Sequence, residues 1–253
     1  MEYSILATFY EKIELTTKRL EMTDLLVALF KKTPLNIIDK VVYLTQGRLY
    51  PEYIGIELGV AEKLALRALS MVTGLSVEEL EAELKRAGDI GIVAERALSR
   101  KKVKSLLDFV GPAQAHARKL MVEEVYSTLD KVARATGEGA QDTKISLIAS
   151  LLRHASPKEA KYLMRTITGR LRLGIADMTI LDALAIAFCG GKDARPLVER
   201  AYNLSSDLGH VARVVAENGL EGLKHFKITI GRPIRPMLAE RLTSYFSLLG
   251  PRT

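Results

Sequence analysis

The sequence contains little of what organises several common classes of protein. Its 253 residues include one cysteine, Cys189, and no tryptophan. A single thiol excludes a disulfide within the chain, and its place in the apolar run 183–189 favours a small core residue over a nucleophile. The four histidines are scattered without a partner at metal-ligand spacing. We therefore expect no zinc site and no other metal site in this chain.

Long apolar runs are absent as well. No stretch approaches the roughly 18 uncharged apolar residues that a membrane span needs, and the N-terminus mixes acidic and basic residues instead of forming an apolar signal region. We expect an intracellular, soluble protein of the cytoplasm without a membrane partner. A Walker-type phosphate loop, a nucleophile elbow and a His-Glu-x-x-His string are also missing, so the sequence predicts a binding module without catalytic residues.

What the sequence does have is an excess of positive charge. Its 37 Lys and Arg residues against 30 Asp and Glu give a formal net charge of +7. This balance favours an anionic partner such as nucleic acid or a membrane surface. The apolar fraction of 48% and the charged fraction of 26% are those of an ordinary globular protein, and the length permits one or two domains.

The most informative feature is an internal repeat. Residues 21–49 and 143–171 each contain an apolar helical pattern, a break at Thr-Pro or Ser-Pro, a second helical pattern and a closing Gly-Arg-Leu. The prolines of the two breaks, Pro34 and Pro157, each suit the first turn of a new helix. The glycines that open the closing tripeptides, Gly47 and Gly169, lie 122 residues apart.

A second pair of strings repeats at nearly the same distance. Asp89-Ile90-Gly91 is matched 118 residues later by Asp207-Leu208-Gly209. Because this spacing exceeds the roughly 20–50 residues of a solenoid unit, we predict that a helical half-domain has been duplicated. The halves would be residues 1–136 and 142–226, separated by the Gly-rich loop 137–141.

Helical periodicity extends through nearly the whole chain. We predict an all-α protein, a compact body of about ten or more helices with one helix over residues 113–136. The C-terminal part differs, because Lys227-Ile228-Thr229-Ile230 alternates in the way that is typical of a short strand. Prolines in residues 231–236 exclude a helix there. Residues 227–253 are therefore predicted to form an extended linker that leaves the body.

The sharpest candidate for binding is the string Thr-Gly-Arg-Leu-Arg-Leu-Gly-Ile. Its glycines, Gly169 and Gly174, permit tight turns and close approach of a ligand to the backbone. Arg170 and Arg172 alternate with leucines, so that in an extended turn the guanidinium groups face solvent while the leucines pack. A helix is expected just after the string, and its N-terminus would favour a phosphate or a minor-groove backbone. The alternative is a helix–helix turn with two solvated arginines.

The repeat supplies counterparts to this string. Gly47 and Arg48, followed by Gly55, would present an equivalent turn elsewhere on the body. Gly91 and Gly209 could each place a glycine turn near a phosphate, although helix punctuation is the alternative interpretation. The basic connector of residues 100–104 could also contact an anion, or could be a solvated loop.

Together these strings resemble the N-terminal DNA-binding domain of archaeal and eukaryotic-type ATP-dependent DNA ligases. The resemblance extends over about residues 1–242 and is carried, in order, by residues 51–59, 88–91, 156–174 and 231–239. It implies a domain that grips nicked duplex DNA across the minor groove, with loops and helix N-termini on the sugar–phosphate backbone, for nick sealing in replication and repair. Association with the nucleoid would follow.

The chain departs from that family in one respect that decides its chemistry. The family's nucleotide-accepting lysine lies in a Lys-x-Asp-Gly motif, and this sequence contains no such motif. We expect a chain that is truncated relative to its parent, without the adenylation and oligonucleotide-binding domains, and inactive by itself. No catalytic residue and no cofactor is assigned to it, whereas the resemblance implies ATP and Mg for the full-length parent.

Two further interpretations concern partners. Archaeal relatives carry a sliding-clamp motif at about residues 102–107, but here Val103, Leu106 and Leu107 replace its glutamine and paired aromatics, which is unfavourable for clamp binding. A hypothesis from a different class is a helical protein–protein adaptor whose basic loops keep it soluble. DNA binding at two salt concentrations separates that adaptor from a ligase module.

Overall fold

Helices account for the regular structure of residues 1–100 and 118–236, the parts of the chain that the computed structural model describes. Within these ranges no strand forms, and the prediction of an all-α protein is confirmed. None of the helices in these described ranges combines the length and the apolar character that crossing a membrane requires. The helices are α1 (Tyr3–Glu14), α2 (Arg19–Lys32), α3 (Ile38–Thr45), α4 (Glu62–Thr73), α5 (Val77–Ala87), α6 (Ile90–Arg100), α7 (Val122–Arg134), α8 (Ala140–His154), α9 (Pro157–Ile167), α10 (Asp177–Phe188), α11 (Arg195–Ser205) and α12 (Leu208–Lys224).

The prolines of the repeat stand at helix starts, as predicted. Pro157 is the first residue of α9, where a missing N–H costs nothing, and Ser156 before it forms a capping box with Glu159. Pro34 precedes a short 3-10 turn, Leu35–Ile37, that leads directly into α3. Each Pro therefore lies just after the end of one helix, where the next helical segment begins.

Helices that are distant in the sequence pack closest together. The main pairs are α6 on α9, α2 on α10, α3 on α12 and α4 on α8. Each pair joins a helix from before residue 101 to one from after residue 117, so the two described parts of the chain share one core. Burial of one aliphatic or aromatic side chain in such a core is worth about 1.5–3 kcal/mol. Helix α1 contributes five fully buried side chains: Tyr3, Leu6, Ala7, Tyr10 and Ile13.

Two predicted elements differ from the structure, and tertiary contacts explain one of them. Of the helix predicted over residues 113–136, the described part begins at Val122, because residues 119–121 lie beside the N-terminus instead. There the Tyr3 N–H donates to the Leu120 carbonyl at 2.8 Å and the Val122 N–H donates to the Met1 carbonyl at 2.9 Å. The strand predicted over residues 227–230 is also wrong, since no described strand lies beside that segment to share its hydrogen bonds.

Two buried glycines allow the closest helix crossings. A Cβ atom at Gly209 in α12 would lie 2.6 Å from Tyr43 Cε1 in α3, and one at Gly91 in α6 would lie 2.7 Å from the Lys161 carbonyl oxygen in α9. Real Cβ atoms essentially never approach other atoms this closely. The glycines of the two Asp-x-Gly strings therefore leave the space that lets α3 pack closely on α12 and α9 on α6.

Replacing Gly209 with Ala tests this packing. The substitution gains about 1 kcal/mol of helix propensity, but it forces Tyr43 out of place at a cost of about 1–3 kcal/mol or more. We expect a net loss, seen as a fall of several degrees in the midpoint of thermal unfolding followed by circular dichroism. Glu217→Ala, at an exposed position of the same helix, is the control and should change that midpoint little. A Gly209→Ala protein as stable as its parent would contradict the packing role.

Candidate nucleic-acid interface

The two Gly-Arg-Leu strings form turns of the same shape. Gly47 follows α3 with φ +74° and Gly169 follows α9 with φ +68°, a left-handed conformation that glycine adopts without steric cost. In each turn the arginine N–H donates back into the preceding helix, from Arg48 to the Tyr43 carbonyl at 3.0 Å and from Arg170 to the Arg165 carbonyl at 2.7 Å. Both helices thus end in one common cap that carries an arginine out of the helix.

The fold places these two turns side by side. The Leu171 side chain of the second turn packs against Gly47 of the first, where an added Cβ would lie 3.4 Å away. A cleft of about 550 Å³ runs along both turns and is bordered by four of the predicted site residues, Gly47, Arg48, Gly55 and Gly169. Two turns that are 122 residues apart in the sequence therefore share one surface depression.

The predicted alternation of residues 170–173 is present. Arg170 and Arg172 are exposed, Leu173 is buried and Leu171 is half-buried against the core. Both arginines border a second, smaller cleft of about 210 Å³, together with residues 88–90 and Arg165. Gly174 ends the turn in an exposed left-handed position at φ +69°. The second turn therefore offers two outward guanidinium groups and open backbone.

Acidic neighbours partly neutralise the arginines of the turns. Arg170 pairs with Glu62, the first residue of α4, at 2.7 Å, and Arg48 pairs with the exposed Glu52 at 2.9 Å. Exposed pairs of this kind contribute about 0–1 kcal/mol, so an anionic ligand could displace the carboxylates at small cost.

An ion cluster around the buried Arg165, which the sequence did not predict, supports the second turn. Arg165 of α9, whose side chain is 8% exposed, bonds Asp89 at 2.9 Å and Glu14 of α1 at 2.9 Å. Burial alone would raise the pKa of Glu14, but hydrogen bonds from Lys161, Tyr162 and Arg165 hold that pKa below its usual value. The cluster ties α9 to α1 and to the start of α6, one turn before Gly169.

The first turn has a related support built on Asp207. This buried carboxylate caps α12 by accepting the His210 N–H at 2.9 Å, and it accepts the Tyr43 hydroxyl of α3 at 2.6 Å. Asp89 likewise caps α6, accepting the Ile92 N–H at 3.0 Å. Each aspartate is therefore already occupied by a helix N-terminus and by a side chain of the neighbouring helix.

Not every predicted site residue reaches the surface. Gly91 and Gly209 are buried in helix crossings, in contact with Arg165 and Tyr43. A glycine inside an amphipathic helix is destabilising unless something needs the space, and this signal in the sequence could have indicated the packing contact. Seven predicted residues lie around the two turns, and these two lie beneath them.

A carboxylate that the sequence did not single out joins the first turn to two later helices. Asp177, the first residue of α10, accepts Gln46 Nε2 at 2.9 Å and the Tyr202 hydroxyl at 2.7 Å. Its other close neighbour is Arg235, with Nη1 3.3 Å from Oδ2. Gln46 directly precedes Gly47, so this carboxylate fixes the base of the first turn.

The remaining basic candidate is only partly described. Arg100, at the end of α6, pairs with Glu83 at 3.2 Å on the surface. The rest of the basic connector lies outside the described residues, and so do the clamp-motif positions Val103, Leu106 and Leu107. Among the described residues, no group of three or more His, Cys, Asp and Glu side chains is arranged to hold a metal ion.

Comparison with known proteins agrees with the sequence motifs. Residues 2–185 match the protein family described as DNA ligase N terminus. DNA ligase 2 of Thermofilum pendens is 56% identical over 98% of this chain, the DNA ligase of Acidianus ambivalens is 52% identical over 99%, and a probable DNA ligase of Aquifex aeolicus is 53% identical over 98%. The chain spans about two fifths of each relative, 41%, 42% and 41% respectively. On this evidence, and with the two Gly-Arg-Leu turns in place, the chain belongs to the DNA ligase N-terminus family.

Proposed function

We propose that this chain is the DNA-binding domain of an ATP-dependent DNA ligase and that it grips nicked duplex DNA across the minor groove. The observation that carries the proposal is the pair of Gly-Arg-Leu turns, which share one conformation and border one cleft. Their arginines and open backbone suit the sugar–phosphate chain. Contacts to that chain position a protein on DNA without reading its sequence directly, so little sequence preference is expected.

The residues proposed to contact DNA fall into two groups. The second turn contributes Gly169, Arg170, Arg172 and Gly174, and the first contributes Gly47, Arg48 and Gly55. Gly91 and Gly209 are buried, and they allow close packing of α9 and α3, the helices from which the two turns extend. We propose that these glycines affect DNA binding only indirectly, by positioning the turns.

We further infer that the body is a duplication with α1–α6 and α7–α12 as its halves. Reciprocal packing supports this division, because α2 lies on α10 as α8 lies on α4, and α3 lies on α12 as α9 lies on α6. The contact of α1 with α9 likewise has its counterpart in that of α7 with α3. The division would then precede α7 instead of falling in the loop 137–141, and residues 227–253 would remain a linker.

A two-fold body suits a duplex for a geometric reason. The two strands of DNA are related by approximate two-fold axes, and proteins that bind as symmetric pairs exploit this relation. A single chain with an internal two-fold axis could place one Gly-Arg-Leu turn on each strand. A nick interrupts one backbone but leaves the other continuous, so contacts on both strands would hold the broken duplex together.

The activity of a whole ligase needs more than this chain. Because the chain spans about two fifths of its relatives, we propose that nick sealing in replication and repair requires an adenylation domain and an oligonucleotide-binding domain, with ATP and Mg bound there. The clamp is not proposed as a partner of residues 102–107. The proposed location is the cytoplasm, at the nucleoid.

Salt dependence of DNA binding is the direct test. Each phosphate that the protein neutralises releases counterions and contributes about −0.9 to the slope of log affinity against log salt. Six contacts would thus give a slope of roughly −5 for plain and for nicked duplex, measured by fluorescence anisotropy of labelled DNA. Binding that ignores salt, or no binding at low salt, would instead support a protein–protein adaptor.

The double substitution Arg170→Ala with Arg172→Ala tests the second turn. We expect several-fold weaker DNA binding and a salt slope that is shallower by about one to two units, because two phosphate contacts are lost. The melting temperature should stay nearly unchanged, since both side chains are exposed.

A matched control removes the same charge elsewhere. Lys31→Ala with Lys32→Ala, at the exposed C-terminal end of α2 outside both clefts, should alter affinity much less. If the arginine and lysine pairs weaken binding equally, the turn contributes only general charge. The interface would then have to lie elsewhere on the basic surface.

The chain by itself should form no covalent adenylate. The reason is the missing Lys-x-Asp-Gly motif, because the lysine of that motif is the nucleophile that attacks ATP in the family it resembles. Incubation with labelled ATP and Mg, followed by a denaturing gel, measures this. A labelled band at the mass of the chain would show that another lysine acts as the nucleophile.

A further inference from the structure

The linker that follows α12 is attached to the body at two points. At its start the Phe226 side chain is 9% exposed and its ring lies 5.4 Å from the ring of His210. At its end Arg235 contacts α10 and α11. Between these points Ile228 and Ile230 are exposed, at 61% and 103% of their reference areas. Apolar burial therefore cannot explain why the segment follows the surface, and the attachments at its ends must do so.

Arg235 makes three different contacts at once. Its backbone N–H donates to the Asn203 carbonyl at 2.7 Å, its Nη1 lies 3.3 Å from Asp177 Oδ2, and its guanidinium lies 4.5 Å from the centre of the Tyr202 ring. A planar guanidinium can stack on an aromatic face and bond a carboxylate together, whereas a lysine ammonium supplies only a point charge. Pro233 and Pro236 flank the residue and restrict the backbone on both sides.

Asp177, which pairs with Arg235, also forms a hydrogen bond to the residue before the first Gly-Arg-Leu turn. Asp177 accepts Gln46 Nε2 at 2.9 Å through Oδ1 and the Tyr202 hydroxyl at 2.7 Å through Oδ2. Arg235 and Gln46 are thus joined through a single side chain. The linker ends its described course directly beside the turn that contains Gly47 and Arg48.

The first residues of α4 and α10 are both acidic, but their arginine partners come from different segments of the chain. On one side Glu62, the first residue of α4, pairs with Arg170 of the second turn. On the other side Asp177, the first residue of α10, pairs with Arg235, while Arg48 of the first turn pairs with Glu52. The carboxylate at the start of α10 is therefore paired with an arginine of the linker, whereas the carboxylate at the start of α4 is paired with an arginine of a Gly-Arg-Leu turn.

We propose that Arg235 is a positioning residue that anchors the linker to Asp177 and Tyr202, so that the described end of the linker is held beside the first Gly-Arg-Leu turn. The linker up to residue 236 is then fixed at the edge of the candidate interface instead of moving freely. Docking of the linker does not depend on DNA binding. Only its value for placing a following domain on DNA rests on the proposed function.

The absence of tryptophan from the chain permits a clean optical test. Ile234→Trp places a single fluorophore next to Arg235 at a position that is 54% exposed. In the full chain its time-resolved anisotropy should decay with the tumbling of the whole protein. Adding Arg235→Ala should release the segment, add a nanosecond component to the decay and raise the acrylamide quenching constant by about twofold or more, as expected for a mobile chain segment.

Three companion variants separate anchoring from general effects. Arg235→Lys keeps the charge but loses the planar stacking, and should give an intermediate anisotropy. Asp177→Asn should release the linker as Arg235→Ala does. Lys224→Ala removes the same charge from the last turn of α12, where its partner is the neighbouring Glu221, and should leave the anisotropy unchanged.

The outcomes distinguish this inference from the proposed function. If Arg235→Ala leaves both anisotropy and quenching at parental values, Arg235 is not an anchor, whether or not the chain binds DNA. If the variant frees the tryptophan while the melting temperature is unchanged, anchoring is supported even for a chain that binds no duplex. A variant that melts several degrees lower would assign Arg235 to the stability of the body and overturn a pure positioning role.

Discussion

The fold depends on one kind of helix–helix contact that occurs twice. In each case a side chain of one helix packs over a buried glycine of a second helix, and it also bonds to the aspartate that caps this second helix. Tyr43 of α3 lies over Gly209 and donates to Asp207, and Arg165 of α9 lies over Gly91 and pairs with Asp89. The glycine sets how near the helices come, and the carboxylate sets their rotation. The Gly-Arg-Leu turns extend directly from α3 and α9, so these two contacts determine where both turns lie.

The two contacts fix the positions of α3 and α9 through different electrostatic interactions. Tyr43 brings a neutral hydroxyl to the buried Asp207, so the carboxylate is the one charged group of that pair and is stabilised by hydrogen bonds. Arg165 brings a buried charge, which is favourable only because Asp89 and Glu14 both receive it. Removing one partner of such a cluster is far more costly than the net worth of the pair. The contact at α9 is therefore the more specific of the two, and it is the one beneath Arg170 and Arg172.

Features that depend on local chemistry could be predicted from the sequence. Helical periodicity, the Pro34 and Pro157 breaks, and the alternation of Arg170 and Arg172 with leucines all follow from neighbours within a few residues. The strand over 227–230 was wrong, and so was the helix over residues 118–121, because hydrogen bonding to distant backbone decides such elements. Similarly, local spacing did not identify the functions of Gly91 and Gly209 in packing or the roles of Asp177 and Arg235. Their partners lie between 25 and 166 positions away along the chain.

The contrast between local sequence features and contacts between distant residues also applies to the source of affinity for DNA. A net charge of +7 attracts any polyanion, yet Arg48 and Arg170 are already paired with carboxylates on the surface. Exchange of those carboxylates for phosphates leaves the number of ion pairs unchanged and gains mainly from released counterions and from fit. Fit requires two phosphates at the spacing of the two turns. Specificity for a duplex over other polyanions would therefore reside in the helix packing that fixes that spacing.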